Sequence, residues 1–413
     1  MVDVAVVGAG AAGLAAGIFL RRLNPALSVV AIDSARVPGA KILVSGGSRC
    51  NVTNRVVTDA DFWGAPRPLV RRVLRGLSVR DTVQFFAQMG VALHEEADGK
   101  LFPDSNRARD VRDALVAELA RVGTRLLTAT RVADVERNAH GFRLVVNGPE
   151  PVEARAVVLA TGGLSLPKTG SDGTGLEIAR RLGHSVVPTT PALVPLALED
   201  RADAMHRDLT GIAHDAELCL WVDGRANLRL RGSLLWTHFG ISGPVALDMS
   251  RHWLRARLNG QAARLTLSFH PGGTFEHVDD AWSRLASERP KASVQAVLAQ
   301  HVPAAVAACM IARLDIDPAV VLAHFDRGAR RRLARGLVEW PLPVVGCRGY
   351  NYAEVTAGGV PLEQVDTASM QSRICPGLFL VGEILDVDGR IGGFNFQWAW
   401  SSAYVAARAL THL

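Results

Sequence analysis

The sequence predicts an α/β fold: a domain built on a parallel sheet, interrupted by an inserted module of strands and helices. Three observations predict it. The first 33 residues read as buried strand, glycine turn, helix and second strand. Buried strands running into glycines recur near residues 157–163 and 377–382. Between roughly residues 192 and 344 the pattern changes to separated strand-like pieces and then to Ala- and Leu-rich helical stretches.

The opening stretch, VDVAVVGAGAAGLAAGIFLRRLNPALSVVAID, is the most informative. Val2, Val4, Val6 and Val7 suit a strand buried on both faces, and Gly8, Gly10 and Gly13 form GxGxxG where the chain turns into a helix. The first glycine permits the tight turn, the second lets backbone approach a pyrophosphate, and the third lets helix and strand pack closely. The helix N-terminus adds free N–H groups and a positive dipole end. Asp33 follows Gly13 by twenty residues, at the end of a second strand, where a carboxylate accepts hydrogen bonds from ribose hydroxyls; Ser34 stands beside it. These features predict a Rossmann-like dinucleotide-binding unit, and the acid favours FAD or NAD over NADP.

A chain of 413 residues, 48% hydrophobic, can bury more than one core. The first strand begins at residue 2 and no apolar run reaches about 18 residues, so no signal peptide or membrane span is expected and the protein is expected to be cytoplasmic. Five scattered cysteines (50, 219, 309, 347 and 375) fit neither a disulfide framework nor a zinc site, and no metal is expected. The net charge of +6 could suggest nucleic acid, yet the arginines are spread along the chain and the run Arg330 to Arg332 reads as a solvated helix face. No nucleic-acid partner is therefore expected, and the oligomeric state is open.

Residues 38–54, PGAKILVSGGSRCNVTN, read as a long loop offering Lys41, Ser45, Gly46, Arg49 and Asn51 to a ligand. Cys50 within it reads as packing rather than as a redox thiol. Residues 60–121 look helical, and residues 125–146 look like a small antiparallel meander. The strand at 157–160 must return beside the first strand in parallel, bringing Thr161 and Gly162 to the same sheet. Asp172 or Thr174 looks like the N-cap of a helix over 175–182, and Pro244 looks like the first turn of another. At the end of the chain Gly392 and Gly393 precede a closing helix, offering N–H groups to an electron-rich atom. The expected domains are 1–191 with 345–413 for the cofactor, 192–272 with 333–344 as a β-barrel-like part, and 273–332 as a helical part.

Taken together these pieces resemble a family of bacterial flavoproteins that includes aminoacetone oxidase-like and BaiN-like enzymes. The matching stretches are GAGAAGLAA, KILVSGGSRCNVTN, LATGGLSLPKTGSDGTG, THFGISGP, VTAGGV and GEILDVDGRIGGFNFQWAWSS, spanning nearly the whole chain. The resemblance implies noncovalent FAD in a two-dinucleotide-binding-domain flavoprotein core, with an insert made of a β-barrel and a helical subdomain. It extends the cofactor set to Ala12, Gly358, Gly359, Gly382, Glu383, Asp386, Phe394 and Asn395. The chain departs from the usual family pattern at Ala40, Ser48 and Leu166, so its substrate contacts are expected to differ.

The expected activity is a flavin-dependent oxidoreduction of a small organic substrate, amine oxidation or enone reduction, in a cleft between the cofactor domain and the insert. No second GxGxxG follows a strand, so electrons come from the substrate or from NAD(P)H visiting the flavin transiently. The alternative is a non-catalytic, regulatory flavin binder. His238 and Lys168 are the polar groups expected to face the substrate, with Arg348 and Tyr352 behind them. The absence of a serine in a GxSxG elbow excludes triad chemistry.

Overall fold

The computed structural model describes residues 1–148, 150–201 and 204–413, and these divide into two compact units, Met1–Pro191 with Tyr350–Leu413 and Ala192–Gly349. In the first unit the valine-rich strand Val2–Val7 lies at the centre of a sheet between Val29–Ile32 and Val152–Leu159, parallel to both, with Val6 opposite Ala31 and Val158. Leu378–Leu380 adds on parallel to the far side of Val152–Leu159. Apart from Asp3, Glu153 and Arg155 towards their starts, these strands are apolar because helices cover the sheet. Helices Ala11–Leu23 and Phe394–Leu410, from opposite ends of the chain, pack on each other through buried alanines, and Phe19 meets Tyr404 edge-on at 5.1 Å.

Three expectations are corrected here. Residues 125–127 do not belong to the meander: Arg125–Leu127 joins the main sheet parallel to Val29–Ile32, and only Val132–Asn138, Gly141–Val146 and the start of Val152–Leu159 pair antiparallel. Residues 40–48 are not an open loop but the helix Ala40–Ser48, broken where Ser45 is extended and Gly46 and Gly47 take positive φ. The nominally helical stretch 60–121 carries helices Arg67–Leu74, Val79–Gln88 and Ala108–Arg121, but also the short strands Phe62–Gly64, Leu93–Glu95 and Lys100–Pro103. In the first and third cases a few residues pair with distant backbone, which local pattern does not reveal. The helix Thr174–Arg181 starts from Gly173 in the left-handed region, with Asp172 accepting the Thr174 N–H at 3.1 Å.

The second unit holds a seven-stranded antiparallel sheet, ordered Trp340–Leu342, Ala263–Ser268, Ala213–Val222, Arg225–Thr237, Gly240–Ser242, Leu196–Leu198, Val344–Cys347. This order is an open path, so a β-barrel is not shown. Asp223 and Gly224, both at positive φ, form the two-residue turn of the long hairpin, as an Asp-Gly pair favours. The helix Pro244–Leu258 begins at its proline, and helices Phe275–Glu288, Ala304–Arg313 and Arg327–Val338 share one apolar core with the sheet. No helix among the described residues is long and apolar enough to cross a membrane.

Candidate functional site

The glycines of the first turn divide by what surrounds them. A Cβ on Gly8, at φ +97°, would stand 2.5 Å from the Ala160 carbonyl oxygen, and one on Gly13 would stand 1.8 Å from the Gly8 oxygen. Those two are glycine because the protein's own backbone fills the space. Around Gly10 a Cβ would meet nothing within 4 Å, so the opening there is available to a ligand. The first residues of helix Ala11–Leu23 have no intrahelical partner for their N–H groups. Asp33 stands at this turn, accepting the Ala9 N–H at 2.5 Å and the Ala35 N–H at 2.8 Å. Burial pushes its pKa up, and the two amides only partly oppose that. Its carboxylate has acceptor capacity left for ribose hydroxyls. Glycine spacing, open Gly10 and an anchored carboxylate fit a dinucleotide.

The chain's C-terminal part closes on this turn. A Cβ on Gly382 would lie 2.8 Å from the Ala12 Cβ, its N–H donates to Ser402 Oγ at 3.0 Å, and Trp398 Nε1 donates to its carbonyl. Glu383, next in sequence, accepts from the Thr356 N–H at 3.0 Å and from Ser165 Oγ at 2.6 Å, and pairs with Lys41 at 2.5 Å. Lys41 also donates to Ser165, which is wholly buried. Asp386 accepts the Gly358 N–H at 3.0 Å, and Gly359 packs against the Ile384 carbonyl. Thr161 and Gly162 follow the strand Val152–Leu159, and the Thr356 hydroxyl accepts from the amides of Leu164 and Ser165.

The Gly392–Gly393 turn is held by residues 51–54. Asn54 Nδ2 donates to the Gly392 carbonyl at 3.1 Å, and the Asn51 amide, with its oxygen turned to the Gly393 N–H, accepts at 3.2 Å. Thr53 donates to Gln397 Oε1 at 2.7 Å, and a Cβ on Gly393 would strike the Thr53 carbonyl at 2.5 Å. Asn395 closes the turn by exchanging two hydrogen bonds with Gly389, and Phe394 is wholly buried beneath Arg390. The helix Phe394–Leu410 then starts with no side-chain cap, leaving its first N–H groups for a ligand. Asn51 and Asn54 thus serve the turn. Arg49, whose guanidinium lies 4.1 Å over Phe102 and 2.6 Å from Glu96, is committed to neighbouring residues.

The remaining expected residues have the following surroundings. Cys50 is fully buried and burial pushes its thiol up to about 12, so it holds no thiolate. Ser45 donates to the Ile42 carbonyl at 2.7 Å, at the helix break beside Gly46. Ser34 is exposed, and so is Lys168, on the single turn Pro167–Thr169. His238 belongs to the second unit, exposed beside the half-buried Phe239 in the two-residue turn between Arg225–Thr237 and Gly240–Ser242. There the Arg348 guanidinium lies 4.4 Å over the Phe239 ring. Sequence reading missed Ser165, Thr356 and Gln397, whose short polar side chains meet partners that only the tertiary fold supplies.

Comparison with known proteins agrees with this geometry. The HI0933-like protein Rossmann domain matches residues 2–409. The chain is 32% identical over 408 residues to the ribosomal RNA dihydrouridine synthase of Escherichia coli, covering 99% of this chain and 98% of that one. It is 31% identical over 410 residues to the protein of the same name from Haemophilus influenzae, covering 98% of each. It is 30% identical over 406 residues to the 3-dehydro-bile acid delta(4,6)-reductase of Clostridium scindens, again covering 98% of each. Among solved structures, a quinol-fumarate reductase with menaquinol molecules superposes with a TM-score of 0.52 at 17% identity, covering 100% of this chain and 71% of that one. A 3-ketosteroid delta1-dehydrogenase from Sterolibacterium denitrificans gives 0.51 at 14%, covering 100% and 99%. These two likenesses are of fold alone. With the family match running almost from end to end and the dinucleotide turn intact, the chain belongs to the HI0933-like family of FAD-dependent oxidoreductases.

Proposed function

We propose that this enzyme reduces a carbon–carbon double bond conjugated to a carbonyl, and that its substrate is a uracil ring within RNA. The observation that carries the reading is a shared reaction. The full-length relatives are named for reducing uridine in ribosomal RNA and for reducing a bile-acid delta(4,6) system. The C5=C6 bond of uracil is conjugated to its C4 carbonyl, as the double bonds of such a steroid are to theirs. Bound FAD would supply two-electron chemistry, relaying a hydride from a nicotinamide donor to the carbon β to the carbonyl. NAD(P)H is that donor, and a proton reaches the α carbon, so one NAD(P)H and one proton are consumed per dihydrouracil formed.

The chain's own residues hold the cofactor and place the base. The Gly8–Gly13 turn and Asp33 take the adenosine end and pyrophosphate; the turn held by Asn51 and Asn54 directs amides of helix Phe394–Leu410 towards the flavin end. The buried Cys50 thiol is unsuited to proton delivery; His238 and Lys168, both exposed, remain the candidate acids expected from the sequence. In this reading the small substrate expected from sequence is one ring of a large partner, and the expectation of no nucleic acid is abandoned, because two relatives carry an RNA substrate in their names.

The test is product analysis: ribosomal RNA incubated with the enzyme and NADH or NADPH, digested to nucleosides and weighed. Dihydrouridine should form only with enzyme and donor together. A second reading, favoured by the Clostridium scindens relative, is reduction of a free steroid-type enone. Turnover of such an enone with no dihydrouridine in any RNA would establish it.

A further inference from the structure

We infer that residues 67–80 form the surface on which the RNA backbone docks, an inference that rests on the reading of RNA as substrate. Arg67, Arg71, Arg72, Arg75 and Arg80 are all exposed, and no acidic residue lies between Asp61 and Asp81. Arg67, Arg71 and Arg75 recur every four residues on and just beyond helix Arg67–Leu74, one line of like charge, while Val70 and Val73 on the other side are buried. Like charges at that spacing destabilise a helix, and a cation at its first position opposes the dipole. Arg71 and Arg72 lie in the last turn, where cations suit the dipole, so what marks the stripe is the mutual repulsion of its like charges, which an anionic partner would relieve. Asp59 accepts two hydrogen bonds of 2.9 Å from Arg71 and also feels the charge of Arg67; Arg72 and Arg75 have no ion pair among the described residues.

Position supports the assignment. The strand Phe62–Gly64 pairs antiparallel with Val387–Gly389, and the Arg390 N–H donates to the Asp61 carbonyl at 3.0 Å. The arginine helix therefore follows directly from a strand laced to the segment that leads into Gly392 and Gly393. At its far end a Cβ on Gly76 would strike Val405 at 2.3 Å, so the stripe is fixed to the same helix that opens at the cofactor turn. From Arg67 to Arg75 the line spans about 12 Å, a reach of a few consecutive phosphates. Arginine suits phosphate by its planar fork of donors. The other arginine-rich helix, Arg327–Val338, is a poorer candidate: Arg330 and Arg331 share Asp279, and Arg331 and Arg335 lie over the Phe275 ring.

The experiment compares wild type with the triple variant Arg67→Gln/Arg72→Gln/Arg75→Gln, leaving Arg71 with its partner, and with Arg331→Gln/Arg332→Gln as a control. FAD content and melting temperature establish that each is folded. Dihydrouridine formation in a ribosomal RNA fragment is then followed as a function of RNA and salt concentration. The triple variant should raise KM for RNA at least about 10-fold near 0.15 M salt, lower the slope of log affinity against log salt by about 2, and keep kcat. The control should match wild type. A triple variant with wild-type KM and salt slope, against a wild type that forms dihydrouridine, overturns the docking surface and leaves the substrate reading standing. A wild type that neither binds the RNA nor forms dihydrouridine overturns the substrate reading, and this surface with it.

Discussion

Lys41 and Glu383 meet at 2.5 Å although 342 residues separate them, tying the helix after Asp33 to the turn that follows the strand Leu378–Leu380. Both side chains are mostly buried, and Ser165 and the Thr356 amide complete the cluster. Removing one charge strands the other in a site built for a pair. Lys41→Met should lower apo stability by about 1–3 kcal/mol and weaken FAD retention. Lys41→Arg should recover part of both, read as flavin content and melting temperature. A Lys41→Met protein as stable and as yellow as wild type would show that the pair is ornamental.

The first turn predicts opposite behaviour from two neighbouring glycines. Gly13→Ala forces a methyl onto the Gly8 carbonyl at 1.8 Å and should destabilise the protein with or without cofactor. Gly10→Ala meets no protein atom within 4 Å and has an ordinary φ of −78°, so apo stability should hold while FAD binding is lost. FAD titration of the two apo variants, with thermal melts, separates these effects. Tight FAD binding by Gly10→Ala would mean that the pyrophosphate does not cross that residue.

Asp33 carries a sign that can be checked. Burial raises its pKa in the apo protein, whereas ribose hydroxyls donate to its ionised form. Cofactor binding should therefore release a proton, and FAD affinity should fall as pH drops through the raised pKa. Asp33→Ala should cost about 1.5–3 kcal/mol of FAD binding and flatten that dependence. Isothermal titration in buffers of different ionisation enthalpy reads both.

Buried histidines set the acid limit of stability. Burial holds His184, His214 and His252 below the usual histidine range, His252 at about 3. His214 accepts from Trp236 Nε1 at 3.0 Å and faces the Asp215 carbonyl, so its neutral form is the one that fits. The unfolded chain takes up protons first as pH falls past about 6.5, so the stability these groups supply is complete above that value and lost progressively below it. Melts from pH 8 to pH 4 should show the decline begin near 6.5. A flat profile down to pH 5 would contradict this.

His238→Ala should leave FAD content intact, since the exposed side chain holds none of the residues assigned to the cofactor. Turnover should fall roughly 100-fold if the imidazole delivers the proton, and much less if it only shapes the surroundings. Lys168→Met is the matching test for the other candidate. An unchanged rate removes the residue concerned from the reaction.

The elements of the first unit were legible where a short motif carries its own physics. The GxGxxG turn, the acid twenty residues on and the parallel return of Val152–Leu159 all follow from local sequence and chain handedness. Residues 40–48 were misread because five helical residues precede a break at Ser45, too short a run to show a period. Arg125–Leu127 looks like any exposed strand until Val29–Ile32 pairs with it. The polar contacts of Ser165, Thr356 and Gln397 depend on partners brought together only by the fold.

The central claim is that electrons pass from a nicotinamide through this flavin to a conjugated double bond in RNA. The direct measurement is a single turnover without oxygen: reduce the bound flavin with one equivalent of NADPH or NADH, then mix with ribosomal RNA and follow the flavin's visible absorbance. The account predicts reoxidation on adding RNA, with one dihydrouridine formed per flavin. A flavin that stays reduced in the presence of every uridine-containing RNA would contradict it.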